Sequence, residues 1–213
     1  MQVNRHEIYR YLGVRGEIDE ASRLLVEECL AELRERVTPR HIMRDFPLSI
    51  GEDGVIDFTC FQTRSENLRK NLKGCSQIRI FAATLGEGAD FLIRRYERVR
   101  ISKSVVMQAA SAAMIEAYCN ELNQKWREEA ALENRFLRPR FSPGYGDFPL
   151  EIQTMICDVL KTEKTVGITL TDALLMMPSK SVTAVIGMSD TRTDCEPEGC
   201  EICAKTNCIY RRC

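Results

Sequence analysis

No apolar run in this chain approaches the length of a membrane span, and its first ten residues, MQVNRHEIYR, are too polar for a secretory leader. Charge of one sign is missing too. Thirty Lys and Arg stand against 31 Asp and Glu, a formal net charge of -1, so no basic excess marks a nucleic-acid partner. Histidine is scarce: His6 and His41 both lie in the N-terminal region, which leaves no nucleophile–base pair around the later motifs. Neither phosphate-binding signature is complete. Thr84-Leu85-Gly86-Glu87-Gly88 leads from a strand into a helix, but it has no P-loop lysine and one Rossmann glycine interval, so these glycines read as a turn. The expected setting is the cytoplasm, with no membrane and no nucleic-acid partner.

Cysteine, by contrast, is abundant, and a reducing compartment disfavours structural disulfides for its ten copies. Cys29, Cys60, Cys75, Cys119 and Cys157 sit in apolar contexts and read as small buried hydrophobes. The other five, Cys195, Cys200, Cys203, Cys208 and Cys213, crowd the last nineteen residues. Cys200-x-x-Cys203 followed by Cys208 has metal-ligand spacing, because two thiolates two residues apart reach one ion from a tight turn. The intervals do not match the bacterial ferredoxin run. Two readings stay open: a zinc or iron–sulfur site on Cys195, Cys200, Cys203 and Cys208, or a reduced tail without metal. The expected organisation is a domain over 1–190 and a cysteine-rich tail over 191–213.

Hydrophobic periodicity predicts helices over 4–12 and from Asp19 to Val37, the second with Leu24, Leu25, Leu30, Leu33 and Val37 as its apolar set. An edge strand interrupted at Pro47 follows over 41–50, then a turn at 51–54 and a strand over 55–61. Ser65 is placed to cap a short helix bearing Leu68 and Leu72, and 77–84 reads as a buried strand. The longest helical stretch is 104–129. Its first half is rich in small residues, Ala109 to Ala113, which allow close backbone approach. Glu116 lies in this apolar half, where a carboxylate is costly unless it is paired or faces a cleft or water. An amphipathic helix over 150–160, with Asp147 as its expected cap, precedes strands near 168–170 and 181–187. The methionines of the segment 174–178 read as core filler. Strands divided by helices and hairpins, without a regular βαβ beat, predict an α+β fold with a mainly antiparallel sheet flanked by helices and one long central helix.

The most informative stretch is 138–150, Arg-Pro-Arg-Phe-Ser-Pro-Gly-Tyr-Gly-Asp-Phe-Pro-Leu. Three prolines and two glycines there forbid a regular helix and leave a loop with little freedom to lose on binding. It carries Arg140, a planar donor fork, Tyr145, a ring with a polar tip, and glycines at 144 and 146 that admit a ligand close to the backbone. Such a loop suits a carboxylate-bearing, ring-containing small molecule. The alternative is a strand-to-helix turn with a solvated arginine.

Arg140-Phe141-Ser142-Pro143-Gly144-Tyr145 resembles the Arg-x-x-Pro-Gly-Tyr motif of the activation (reactivation) domain of cobalamin-dependent methionine synthase. The alanine-rich helix around Glu116, the run from Glu163 to Thr171 and the Met-Pro-x-x-Ser-Val segment extend the similarity over the second half of the chain. The N-terminal half resembles the stand-alone versions of that domain better than the fused one. The resemblance implies S-adenosylmethionine binding, with Arg140 on the methionine carboxylate, the backbone at Ser142 and Gly144 near the adenine and sugar, Tyr145 in the same pocket, and Glu116 toward the ammonium or sulfonium end. It implies reductive remethylation of cob(II)alamin held by a cobalamin-binding methionine synthase chain or other corrinoid protein. An electron donor such as flavodoxin or ferredoxin would take part. A second reading makes the chain a redox activator of a corrinoid protein through its cysteine tail. One departure stands out: residues 189–195 hold no aromatic, where the fused domain has several.

Overall fold

Asn4, Asp19 and Ser65 each turn a side-chain oxygen onto a free amide of the following turn, at His6, Ser22 and Leu68. Each thereby starts a helix by satisfying a donor that the helix cannot. These are α1 (Arg5–Tyr11), α2 (Glu20–Arg36) and α3 (Glu66–Asn71) in the computed structural model, which describes residues 1–191. Cys195, Cys200, Cys203 and Cys208, and with them the expected metal site, lie outside the described residues. The remaining helices are α4 (Glu87–Val99), α5 (Ile101–Leu132), α6 (Ile152–Leu160) and α7 (Thr162–Thr165).

The strands are β1 (Arg40–Pro47), β2 (Ser49–Ile50), β3 (Ile56–Asp57), β4 (Gln62–Thr63), β5 (Gln77–Thr84), β6 (Phe136–Leu137), β7 (Thr169–Leu170), β8 (Met176–Met177) and β9 (Ser181–Ser189). A four-stranded sheet runs in the order β1-β5-β9-β6, with a three-stranded sheet β2-β3-β4 and a β7-β8 pair beside it in sequence. The fold is α+β with an antiparallel sheet, as the sequence predicts. β1 takes an edge, and β5, an inner strand, is buried at seven of its eight positions. That is why β5 reads as a continuous apolar run and not as an alternation. At 32 residues, α5 exceeds the expected 104–129 at both ends.

The described residues divide into two compact units, each drawn from three segments of chain. The first takes 1–41, 83–122 and 166–182. In it α2 buries Val26, Cys29, Leu30 and Leu33, while Leu24, expected inside, is exposed. The true stripe follows i, i+3, i+4, i+7, and Leu24 falls off it. Gly88 has a definite reason: a Cβ there would stand 2.1 Å from the Arg36 carbonyl oxygen, so α4 begins hard against the end of α2. Met177, expected as core filler, is instead exposed, as is Leu175, because the β7-β8 segment is a two-stranded hairpin and its residues alternate outward.

The second unit takes 42–82, 123–165 and, among the described residues, 183–191. Here Trp126 stands edge-on to Phe81 at 5.1 Å, and Arg79, itself bidentate to Asp45 at 2.7 and 2.8 Å, lies over the same indole. The strand expected over 55–61 is broken. Asp57 accepts from the Thr59 amide at 2.6 Å and Thr59 has φ 70, a local side-chain turn that separates β3 from β4.

Candidate functional site

In the second unit, residues 138–149 form a loop strapped to β9 and to α3. The Arg138 amide donates to the Gly187 carbonyl at 2.8 Å, and Phe141 and Val185 exchange a pair of bonds at 2.8 and 2.9 Å. Gly187 leaves room on β9 for the residues that follow α3, since a Cβ there would lie 2.7 Å from both Cys75 and Leu72 side-chain atoms. The Arg138 guanidinium donates to the Lys73 carbonyl at 2.7 Å, and the Asn71 amide group donates to the Pro139 carbonyl at 3.2 Å. Both tie the start of the loop to the C-terminal end of α3.

Beyond Phe141 the chain folds back on itself. Tyr145 N–H donates to the Ser142 carbonyl, Phe148 N–H to that of Tyr145, and Gly144 N–H to that of Phe148, at 3.2, 3.0 and 2.9 Å. Phe141 and Phe148 are buried with ring centroids 6.1 Å apart, which closes the base of the turn. Gly144 (φ 87) and Gly146 (φ 57) supply the left-handed backbone the reversal needs. Arg140 and Ser142 are half-buried, whereas Gly144 and Tyr145 are exposed. Four of the five expected ligand residues are thus near neighbours in sequence on this one loop. Glu116 belongs to the first unit, half-buried on α5 two residues before Tyr118, whose hydroxyl meets His41 Nδ1 at 2.8 Å.

Asp147 overturns one expectation. It does not cap α6, whose N-cap, Glu151, makes no side-chain bond. Its carboxylate instead accepts from the Ser65 hydroxyl at 2.5 Å, the Glu66 amide at 2.6 Å and the Asn67 amide at 3.1 Å. Partial burial pushes its pKa up, but these donors outweigh it and hold the group below the ordinary aspartate value. A helix N-terminus remote in sequence has won over the adjacent one because Ser65 and two free amides converge there on a single carboxylate.

Arg127 is a residue that periodicity alone does not single out. It is half-buried on the last turns of α5, and burial followed by the positive charge of Arg140 holds its pKa below the usual arginine value. Two guanidiniums in one another's field favour an anion beside them. Thiol chemistry is weakly supported by contrast. Burial pushes Cys29 up to about 11 and raises Cys60 and Cys157, so these remain thiols at neutral pH. No group of three or more His, Cys, Asp or Glu among the described residues could hold a metal ion.

An α+β domain carrying a proline- and glycine-fixed arginine–tyrosine loop is the class defined so far. Residues 67–193 match the family model for the vitamin B12 dependent methionine synthase activation domain. The chain belongs to that family. The fold agrees: a crystal structure of the MetH reactivation domain bound to AdoHcy superposes with a TM-score of 0.66 at 20% identity, over 90% of this chain and 75% of that one. No curated protein matches the sequence. The family match begins inside α3, well before the second half in which the sequence motifs lie.

Proposed function

We propose that this chain is an S-adenosylmethionine-binding accessory protein that supports reductive remethylation of cobalamin on a separate methionine synthase chain. The observation that carries the reading is the loop itself: Arg140, half-buried and near Arg127, stands five residues from the exposed ring of Tyr145 on a turn closed by its own amide bonds. Arg140 would take the methionine carboxylate as a fork, with Arg127 adding to the positive field. The backbone at Ser142 and Gly144 would meet the adenine or ribose, and Tyr145 would pack against the ligand.

The residues fit such a ligand: its carboxylate calls for a guanidinium, and its planar base calls for an aromatic and close backbone. Bound there, S-adenosylmethionine supplies an electrophilic methyl group for a cobalamin nucleophile held by the partner. The chain's own residues bind and orient. They need supply no base, because the methyl group is already electrophilic. An electron donor of the flavodoxin or ferredoxin type completes the proposed system.

Titration calorimetry with S-adenosylmethionine tests the reading, with and without a cobalamin-loaded partner. Arg140→Ala should weaken binding by about 1.5–3 kcal/mol, the worth of a charged pair of hydrogen bonds, in a protein that remains folded. Arg140→Lys should recover little, because a point charge cannot reproduce the fork. Equal affinity in wild type and Arg140→Ala would remove Arg140 from the site.

A further inference from the structure

The loop that carries Arg140 and Tyr145 is fastened to both ends of one short helix. Its start is bound at Asn71 and Lys73 through Pro139 and Arg138, and its far end is bound at Ser65, Glu66 and Asn67 through Asp147. The helix is fixed in turn, with Leu68, Asn71 and Leu72 buried. The two fastenings differ in kind. The start is also laced to β9 by three backbone bonds, and the stretch 144–147 is held onto α3 by the Asp147 carboxylate and by the close approach of Gly146 to Asn67. A Cβ at Gly146 would stand 2.4 Å from the Asn67 side-chain nitrogen, so the loop lies flush on the first turn of α3.

We propose that Asp147 is a positioning residue: by holding residues 144–147 against the N-terminal turn of α3, it keeps Tyr145 and the Gly144 backbone in the arrangement that receives S-adenosylmethionine. The ligand named here rests on the reading of residues 140–145 given above. Gly144 and Gly146, both at positive φ, are the points where the otherwise proline-stiffened loop keeps rotational freedom, and affinity falls in proportion to the fraction of time the loop is competent. Asp147 contributes by ordering the loop before the ligand arrives, without touching the ligand.

The test uses the full-length chain as wild type, Asp147→Ala, Asp147→Asn and Arg140→Ala. Two measurements are made on each: amide hydrogen exchange residue by residue, and calorimetry with S-adenosylmethionine. Asp147→Ala should speed exchange at Gly144, Tyr145 and Phe148 while β5 and β9 keep their protection, and should raise Kd about tenfold for a loop competent a tenth of the time. Asp147→Asn keeps one acceptor oxygen for the Ser65 hydroxyl and the Asn67 amide but opposes the Glu66 amide with a donor, so it should fall between. Unchanged exchange at the three amides in Asp147→Ala overturns the proposal. So does a loss of protection that extends to β5 and β9 in both Asp147 variants, since Asp147 would then be a structural residue only. If wild type binds no S-adenosylmethionine, yet the three amides still loosen selectively in Asp147→Ala, the positioning role stands and the ligand reading fails.

Discussion

Lys103 shows how far one residue can depart from what its type suggests. It is 3% exposed, yet it donates to Glu28 at 2.6 Å and to Glu32, lies over the Tyr96 ring, and shares Glu32 with the Tyr96 hydroxyl at 2.7 Å. Burial alone would lower its pKa, but these partners outweigh burial and raise it, so the ammonium stays charged. The network joins α2, α4 and α5 within the first unit. Lys103→Ala should destabilise the protein by about 1.5–3 kcal/mol, the worth of hydrogen bonds to charged groups. The value should not go higher, because the carboxylates left behind are 47% and 29% exposed and can turn to water. Lys103→Met keeps the stem packed and should cost less than alanine. Chemical denaturation of the three proteins measures both differences.

At the scale of elements, glycine spacing that looks like a phosphate motif is explained by helix packing. Gly86 (φ 75) turns the chain out of β5, and Gly88 lets the first turn of α4 meet the Arg36 carbonyl. Gly88→Ala forces a methyl group onto backbone that cannot yield. It should cost about 1–3 kcal/mol in thermal or denaturant unfolding, as overpacking does, even though alanine is the better helix former. A neutral or stabilising Gly88→Ala would mean the two helices separate freely. The same scale holds the loop and α3: a six-residue helix with little stability of its own becomes a splint because two of its side chains, its capping hydroxyl and its end groups are all engaged.

For the molecule as a whole, the proposed role is a division of labour. The isolated chain should show no methyl transfer from S-adenosylmethionine to homocysteine. Adding a cobalamin-loaded methionine synthase chain and an electron donor should give S-adenosylmethionine-dependent recovery of methionine formation. Turnover by the isolated chain on homocysteine would make it an ordinary methyltransferase and sink the assignment. No helix among the described residues is long and apolar enough to cross a membrane, which agrees with the absence of long apolar runs.

Local rules made much of this protein legible in one dimension. Caps at Asp19 and Ser65, the buried run of β5, the small residues of α5 and the breaker-rich loop at 138–149 all follow from chemistry within a few residues. The family motif lies in that loop, whose prolines and glycines exclude a regular helix without reference to its neighbours. What sequence could not assign was any choice between equivalent partners. Asp147 had a helix start five residues ahead and another some eighty residues behind, and three-dimensional convergence of a hydroxyl and two amides decided for the distant one. Leu24 and Leu175 fit apolar patterns yet face water, because which stripe is covered depends on neighbours the pattern does not name. Short-range steric and hydrogen-bonding preferences determined the elements; the competition among distant donors, acceptors and apolar faces was resolved only when the chain had packed.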